Sequence, residues 1–600
     1  MSAQLFVEPA IRAEVRTGGT VHLASADPLS DYPQSVLHAF HAGCAAHPDR
    51  VLIAERCDTG WFTHTWHQVH QRVDRVAQGL LDRGVAGRPV MILSHNSVAN
   101  LVVTLAAYSI SSPVVPVSVA YSLQSADHTK LRHITATADP AAVFAEDADY
   151  AAALGSIGAD RLLISATPVS KAVTPLDAIE TDPAAQLSDR FAALSEDTVA
   201  KIMFTSGSTG APKGVITTHG MLAANQQQIR QVWPFLIDEP PVLLDWLPWS
   251  HTFGGSHNVN MVLMSGGSLW IDTGRPSPQL ISHTIANLAA VQPTVYFNVP
   301  AGYAALIPVL ERDPVAAERF FGRLRVAFFA AAALPQQLWD RMEALSARHQ
   351  SATTMTTSWG MTETAPAAIT THFTTTRSDC IGVPLPGIEL KMVPQDGKYE
   401  LLVRGPNITP GYYRRPDLHD EAFDADGYLR TGDAVQMVDP ADPNQGLLFA
   451  GRMAENFKLA TGTFVTVGTL RPKLLSACGG LLHDAVICGE GAGFVGALAW
   501  VHPDYADRVA PDGTPETTLR KQLATALDQL AASGGSSQRV ERVLLMAAAP
   551  DLDAGEVTDK GYINQRRVRE RRCEQVNELM APSPSPRTVS RVRTREPATG

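Results

Sequence analysis

Six hundred residues exceed one compact domain and predict roughly three to five units. With 45% hydrophobic and 18% charged residues the chain has apolar mass for several cores, which excludes wholesale disorder. Lysines and arginines number 49 against 60 aspartates and glutamates, a net charge of −11 that excludes a general nucleic-acid-coating role.

From Pro33 to about Ala166 helix and strand signals alternate. Val69, Val73, Val76, Leu80 and Leu81 keep a helical spacing that Gly84 can stop. Short apolar runs at 89–94, 141–146 and 161–166 read as buried strands, and the stretch 101–121, broken by Ser109, Pro113 and Pro116, reads as a helix followed by a strand. Such alternation implies crossover units and mostly parallel sheets. The character changes at Gly451–Arg452, where a smaller unit is expected to begin, with strands at 485–489 and 496–503 and helices around 517–532 and 563–580. The formal G-x-G-x-x-G at Gly491, Gly493 and Gly496 precedes a strand signal, so it reads as a hairpin and not as a dinucleotide loop. Between 561 and 600 there are nine arginines and four glutamates, and the Pro- and Ser-rich end is expected to be disordered. The N-terminus lacks a basic stretch followed by an apolar core, and the six cysteines form no C-x-x-C pair, so a cytoplasmic protein is expected.

The most informative segment is Phe204–Gly214, FTSGSTGAPKG, directly after an apolar run. Thr205, Ser206, Ser208 and Thr209 offer hydroxyls, Gly207, Gly210 and Gly214 let amide N–H groups turn inward, and Lys213 adds a positive charge. That is a polyphosphate-binding composition, although Pro212-Lys213 departs from a Walker loop. The segment resembles the phosphate-loop signature of the adenylate-forming superfamily, which includes acyl-CoA synthetases and nonribosomal adenylation domains. The resemblance implies an α/β fold: a large N-terminal domain of mixed, mostly parallel sheets with flanking helices, and a small mobile α+β C-terminal domain. It divides the chain into an N-terminal extension (1–27), the large adenylation domain (28–451), the small domain (452–582) and a disordered tail (583–600).

The same resemblance supplies roles in chain order. In Ser358–Pro366, SWGMTETAP, it places Ser358, Trp359, Gly360, Met361 and Thr362 at the nucleotide, with Trp359 against adenine, Thr362 at the α-phosphate and Glu363 on magnesium. Ala332, in the alanine run 330–333, is similar to the loop lining the other side of adenine. Asp433 in Thr431-Gly432-Asp433 resembles the aspartate that accepts the ribose hydroxyls, and Arg452 resembles the ribose-contacting arginine at the domain junction. Lys560 is expected to stabilise the adenylating transition state, Ala454 occupies the hinge position, and Lys458 would face the nucleotide in the thioester-forming state. His251 in Leu247–Gly255 is expected near the substrate carboxylate, in an acyl pocket with Trp249, Phe253 and Tyr303, and Lys213 and His251 join Lys560 as catalytic candidates.

Four segments, 120–134, 247–255, 451–468 and 558–566, resemble feruloyl-CoA synthases more closely than the superfamily at large. The expected reaction joins a ferulate-like hydroxycinnamic acid to AMP, releases pyrophosphate and transfers the acyl group to CoA. ATP, Mg2+ and CoA are the implied cofactors and co-substrates, with no nucleic acid or membrane as partner. Other aryl or medium-chain acids, loading of a carrier-protein thiol, and a nucleotide-binding regulator without catalysis are the alternatives.

Overall fold

The computed structural model of the chain describes residues 4–592 apart from 159, 206–210, 278, 396, 533–534, 536–537, 559–560 and 562. The chain divides into two compact units: residues 1–394, 401–431 and 437–448 form the first, and 395–400, 432–436 and 449–600 the second.

The first unit contains a seven-stranded sheet ordered Lys213–Thr218, Val199–Thr205, Val114–Pro116, Val90–Leu93, Ala142–Ala145, Leu162–Ser165 and Thr174–Pro175. All pairings are parallel except the first, where Val199–Thr205 and Lys213–Thr218 run antiparallel. Val90–Leu93 and Ala142–Ala145 are buried at every position, which is why they read as continuous apolar runs without alternation. The flanking helix Trp66–Asp82 starts with a capping box in which the Thr65 hydroxyl accepts from Gln68 N–H and the Gln68 side chain reaches back to Thr65 N–H. A four-stranded sheet follows, with Val242–Asp245, Ser268–Ile271 and Val51–Cys57 parallel and Gly60–Thr65 antiparallel at its edge. In a third group, Val295–Asn298, Val326–Phe329 and Thr354–Gly360 run parallel, and Ala367–Thr370 and Cys380–Pro384 add antiparallel strands.

Within the N-terminal extension, residues 11–25 join a sheet of the first unit. Ile11–Val15 and Val21–Ser25 pair antiparallel, and the second continues onto Glu389–Gln395. Val7 N–H also donates to the Val232 carbonyl at 3.0 Å.

The second unit has a four-stranded sheet: Leu482–Cys488, Val495–Val501, Val540–Leu545 and Thr588–Ser590. Side chains alternate across it, as a strand's period of two requires. Ala485, Ile487, Ala497, Val543 and Leu545 face Leu470, Leu474, Leu519, Leu523 and Leu527 of the helices Val467–Ala477 and Thr517–Ala532. Val486, Cys488, Leu498 and Leu544 face Val568 and Leu579 of the helices Gln565–Arg571 and Cys573–Met580. The segment after Cys488 is a hairpin, with Cys488 opposite Gly496.

The strand Thr588–Ser590 corrects the expectation of disorder for residues 583–592; residues 593–600 lie outside the described residues. Val589 is fully buried, Arg587 pairs with Glu578, and Arg591 pairs with Asp528 at 3.1 Å and Glu541 at 3.0 Å. A three-residue strand has too little period to show in sequence, and the described tail arginines, Arg587 and Arg591, are tied to carboxylates instead of lying free in solvent. Among the described residues no helix is long and apolar enough to cross a membrane.

Candidate functional site

Thr205 and Lys213, at the two ends of the Gly- and Ser-rich segment, are direct partners in the antiparallel ladder. Ser206, Gly207, Ser208, Thr209 and Gly210 lie outside the described residues. Beyond Lys213 the strand docks on residues 409–413: Tyr413 N–H donates to Gly214 O at 2.7 Å and Ile216 N–H to Gly411 O at 3.1 Å. This docking brings Tyr412 under the lysine, whose Nζ sits 4.9 Å from the ring centre. The Tyr412 hydroxyl donates to Glu363 Oε1 at 3.1 Å, and Thr409 N–H to the Glu363 carbonyl at 2.8 Å. A cation and a carboxylate expected at the phosphates are thus joined through one tyrosine. Burial, and then the Glu363 charge, push the Tyr412 phenol above its ordinary range, so it stays a donor.

Thr362 and Glu363 lie in the short helical turn Thr362–Thr364, 7% and 6% exposed. Just before it, Ser358 closes its hydroxyl onto Ile369 O at 2.6 Å, Trp359 is buried, Met361 N–H donates to Thr364 Oγ1 at 2.9 Å, and Gly360 lies where a Cβ would stand 1.9 Å from Pro366 O. Ala332 is exposed in the loop after Val326–Phe329, not packed in a core.

His251 is half-buried at the start of a wide helical turn, and its carbonyl accepts from Gly255 N–H at 2.8 Å. The turn, Phe253–Asn258, is of the i→i+5 type, which widens the helix and is frequent at functional positions. A Cβ on Gly255 would stand 2.1 Å from the Trp249 carbonyl, so only glycine lets the turn close on the segment before it. Trp249 is buried, its backbone N–H donating to Asn96 Oδ1 at 2.9 Å. Half-buried Phe253 lies 6.0 Å from Phe297 and 5.6 Å from Phe328, ring centre to ring centre. Tyr303 departs from the expected pocket wall: it is fully buried among Tyr296, Leu306 and Phe320, and its hydroxyl donates to Phe328 O at 3.0 Å. Sequence cannot separate an aromatic that faces a cavity from one that fills a core.

In the second unit Asp433, 4% exposed, meets Arg452, whose Nε is 2.9 Å from Oδ1. Gly451 just before it has φ +89°, and Gly468 would place a Cβ 2.6 Å from Gly451 Cα, so two glycines let these backbones touch. Ala454 is exposed in the turn Met453–Glu455, and Lys458 is exposed in the strand Phe457–Lys458. Lys560 lies outside the described residues, but both its flanks are described: Val557 and Ile563 form an antiparallel bridge, and Glu556 O accepts from Asn564 N–H at 2.9 Å.

Comparison with known proteins places this arrangement. The AMP-binding enzyme family matches residues 40–413. The chain belongs to that family. It is 25% identical over 590 residues to the long-chain-fatty-acid–CoA ligase FadD15 of Mycobacterium bovis, an alignment covering 87% of this chain and 93% of that one. It is 30% identical over 272 residues to an anthranilate–CoA ligase of Pseudomonas aeruginosa, covering 43% of this chain and 47% of the other. The solved structure of the anthranilate CoA ligase AuaEII with anthranoyl-AMP superposes with a TM-score of 0.70 at 17% identity, over 91% of this chain and 98% of that one. The fold is the adenylate-forming enzyme fold. ATP-dependent acyl- or aryl-CoA ligation through an acyl-AMP, with a carboxylic acid, ATP, Mg2+ and CoA, is the activity this membership supports.

Within this AMP-binding enzyme, the donors around Glu363 fit Mg2+. A buried carboxylate with one oxygen held by a phenol and the other open to a ligand offers the hard oxygen donor that such a cation takes. Two residues escaped the sequence reading. Tyr412 carries no motif beyond an aromatic after Gly411. Lys201 looks like a polar interruption of the apolar run before the loop, yet it is buried, with Nζ donating to Gly255 O at 2.6 Å and Ser256 Oγ at 3.3 Å. It therefore holds the wide turn that follows His251.

Burial pushes the Lys201 ammonium down to about 7. The unfolded chain, with an ordinary lysine, binds the proton more tightly between that value and about 10.5. Folding stability is therefore expected to rise with pH through that window, by at most about 1.4 kcal/mol per pH unit. Urea unfolding at pH 7, 8 and 9 should show this rise in the wild type and a flatter profile in Lys201→Met. Equal slopes would show that Lys201 keeps an ordinary affinity for its proton.

Proposed function

We propose that the chain activates an aromatic acid of the hydroxycinnamate class, ferulate-like, as an acyl-AMP and passes it to CoA. The observation that carries this is the ring cluster beside His251: half-buried Phe253 backed by Phe297, Phe328 and His257, with His257 5.1 Å from Phe297. Flat rings set edge-to-face suit a planar acyl group better than a flexible chain. Similarity to an aryl-acid ligase and the four feruloyl-CoA-synthase-like segments support the same reading.

In this mechanism the substrate carboxylate oxygen attacks the α-phosphorus of ATP, the bond to the bridging oxygen breaks, and pyrophosphate leaves. Two anions must approach each other, so catalysis is mainly positioning and charge compensation. The 205–210 segment and Lys213 hold the β- and γ-phosphates, and Thr362 donates to the α-phosphate. Glu363 would hold Mg2+, which when bound neutralises phosphate charge. Trp359 and Ala332 flank adenine, Asp433 accepts from the ribose hydroxyls while Arg452 fixes Asp433, and His251 faces the carboxylate. Lys560 supplies positive charge to the transition state; turning about Ala454 replaces it with Lys458, and the CoA thiolate then attacks the acyl carbonyl, expelling AMP.

The second reading is a fatty-acid ligase, favoured by the end-to-end likeness to FadD15. Pyrophosphate release with ferulate, p-coumarate, benzoate and octanoate, each with and without CoA, separates the two. The expected result is ferulate and p-coumarate ahead, with a CoA thioester formed. Release with octanoate alone would discard the aromatic assignment and keep the chemistry.

A further inference from the structure

Far along the chain from the loop and turn described above, the helices Val36–Ala46 and Trp66–Asp82 bring three metal-ligating side chains together. His41 comes from the first helix. His70 and Asp74, four residues apart, lie one turn apart on the second, so both project from one face. One ligand atom from each of the three lies within 4.8 Å of the others. The imidazoles meet edge-on, ring centres 4.6 Å apart, and Phe40 and Phe191 pack against them.

Ordinary packing leaves this cluster incompletely explained. His41 Nε2 and His70 Nε2 are both buried atoms without a hydrogen-bond partner, and His70 Nε2 stands 3.5 Å from Asp74 Oδ2, beyond good bonding geometry. A buried ring nitrogen with no partner costs free energy unless something binds it.

We propose that His41, His70 and Asp74 form a binding site for a divalent transition metal of the Zn2+ class, clamping the two helices together. Two imidazoles and one carboxylate are a borderline donor set that suits Zn2+ or Co2+ and is poor for Mg2+ or Ca2+, which take oxygen shells. With metal–ligand distances of about 2.0–2.2 Å, tetrahedral donors stand roughly 3.4 Å apart. His70 Nε2 and Asp74 Oδ2 already stand 3.5 Å apart, and the separations to His41, within 4.8 Å, need to close by no more than about 1.4 Å, within the reach of small rotamer changes. Three protein ligands leave the fourth position to water, which the half-exposed setting permits.

The test uses the full chain without a histidine tag, stripped with a chelator, desalted and titrated with Co2+ alone in the absence of nucleotide. The expected result is one saturable equivalent with the intense visible d–d absorption of a tetrahedral nitrogen–oxygen site, without a thiolate charge-transfer band. Zn2+ should displace it, and the thermal midpoint should rise as Co2+ is added. His41→Gln and Asp74→Asn should each weaken binding at least about tenfold and lose the thermal shift, whereas Glu363→Gln should leave both unchanged. Asp74→Asn keeps the shape of a partly exposed side chain and serves if His41→Gln does not fold. No saturable absorption in the wild type, or equal binding by both variants, overturns the proposal.

Discussion

Glu363→Gln is expected to lower kcat for pyrophosphate release by about 10²–10³-fold while the chain stays folded and still binds AMP. The amide keeps the shape of the side chain, and its oxygen can still accept from the Tyr412 hydroxyl, so the contact of Tyr412 with Lys213 survives. What is lost is one negative charge in a buried position, where charges act strongly because little water screens them. That charge is what would hold Mg2+ among the phosphates, and a single preorganised electrostatic contact of this kind is worth about 3–4 kcal/mol in the transition state. Tyr412→Phe provides the graded comparison. It keeps the ring under Lys213 and removes only the bond to Glu363, so about a tenfold loss is expected, the lower end of what an orienting partner contributes at a metal site. Pyrophosphate release at saturating ATP and acid measures both. A Glu363→Gln rate within a factor of a few of wild type would remove Glu363 from the magnesium assignment.

These residues show which parts of the site a linear reading can reach. The Gly- and Ser-rich segment stands out in the sequence because the chemistry expected of it is written in consecutive residues, and Val199–Thr205 before it is an apolar run like those at Val90–Leu93 and Ala142–Ala145. Asp433 and Arg452 were each legible from local motifs, and the structure joins them at 2.9 Å. Tyr412 was not, because its importance lies in touching two residues that are remote in sequence, a property of the fold. Lys201 was hidden for a related reason: a lysine in an apolar run signals an edge or a surface unless its carbonyl and hydroxyl partners are known. Even the unit boundary resists a linear cut. Residues 395–400 and 432–436 belong with the second unit although the first resumes between and after them, which places Asp433 with Arg452 and not with the chain around it. The wide turn at Phe253–Asn258 has a period that neither the helical nor the strand template detects.

Glu556→Ala is expected to destabilise the second unit by about 3–5 kcal/mol and to cripple adenylation even where the protein remains folded. Glu556 is 3% exposed, and its carboxylate is gripped by Arg572, Nε to Oε1 at 3.0 Å and the second guanidinium nitrogen to Oε2 at 2.6 Å, with Arg571 Nε 3.4 Å away. Arg572 is itself nearly buried, lying over Trp500 and donating to the Ala548 and Ala549 carbonyls. Removing the acid leaves that guanidinium enclosed without its counter-charge, the costly way to break an ion pair and the source of the estimate. For a unit of this size the unfolding midpoint should fall by roughly 10 °C. The catalytic effect follows from what else Glu556 holds. Its Oε2 accepts from Asp551 N–H at 3.0 Å, its own N–H donates to Asp551 O at 2.8 Å, and its carbonyl accepts from Asn564 N–H at 2.9 Å, so one residue ties down both flanks of the segment that carries Lys560. Lys560→Ala removes the charge, whereas Glu556→Ala keeps the lysine and both main-chain bonds of residue 556 and removes the carboxylate that holds Asp551 N–H and Arg572 beside the segment. Both variants should therefore lose pyrophosphate release while binding ATP, and only Glu556→Ala should also lower the unfolding midpoint. Glu556→Gln, which keeps hydrogen bonding but not charge, should fall between wild type and alanine on both measures. Normal pyrophosphate release from folded Glu556→Ala would show that the Glu556 carboxylate does not position the 557–563 segment, and normal release from Lys560→Ala would remove Lys560 from the mechanism.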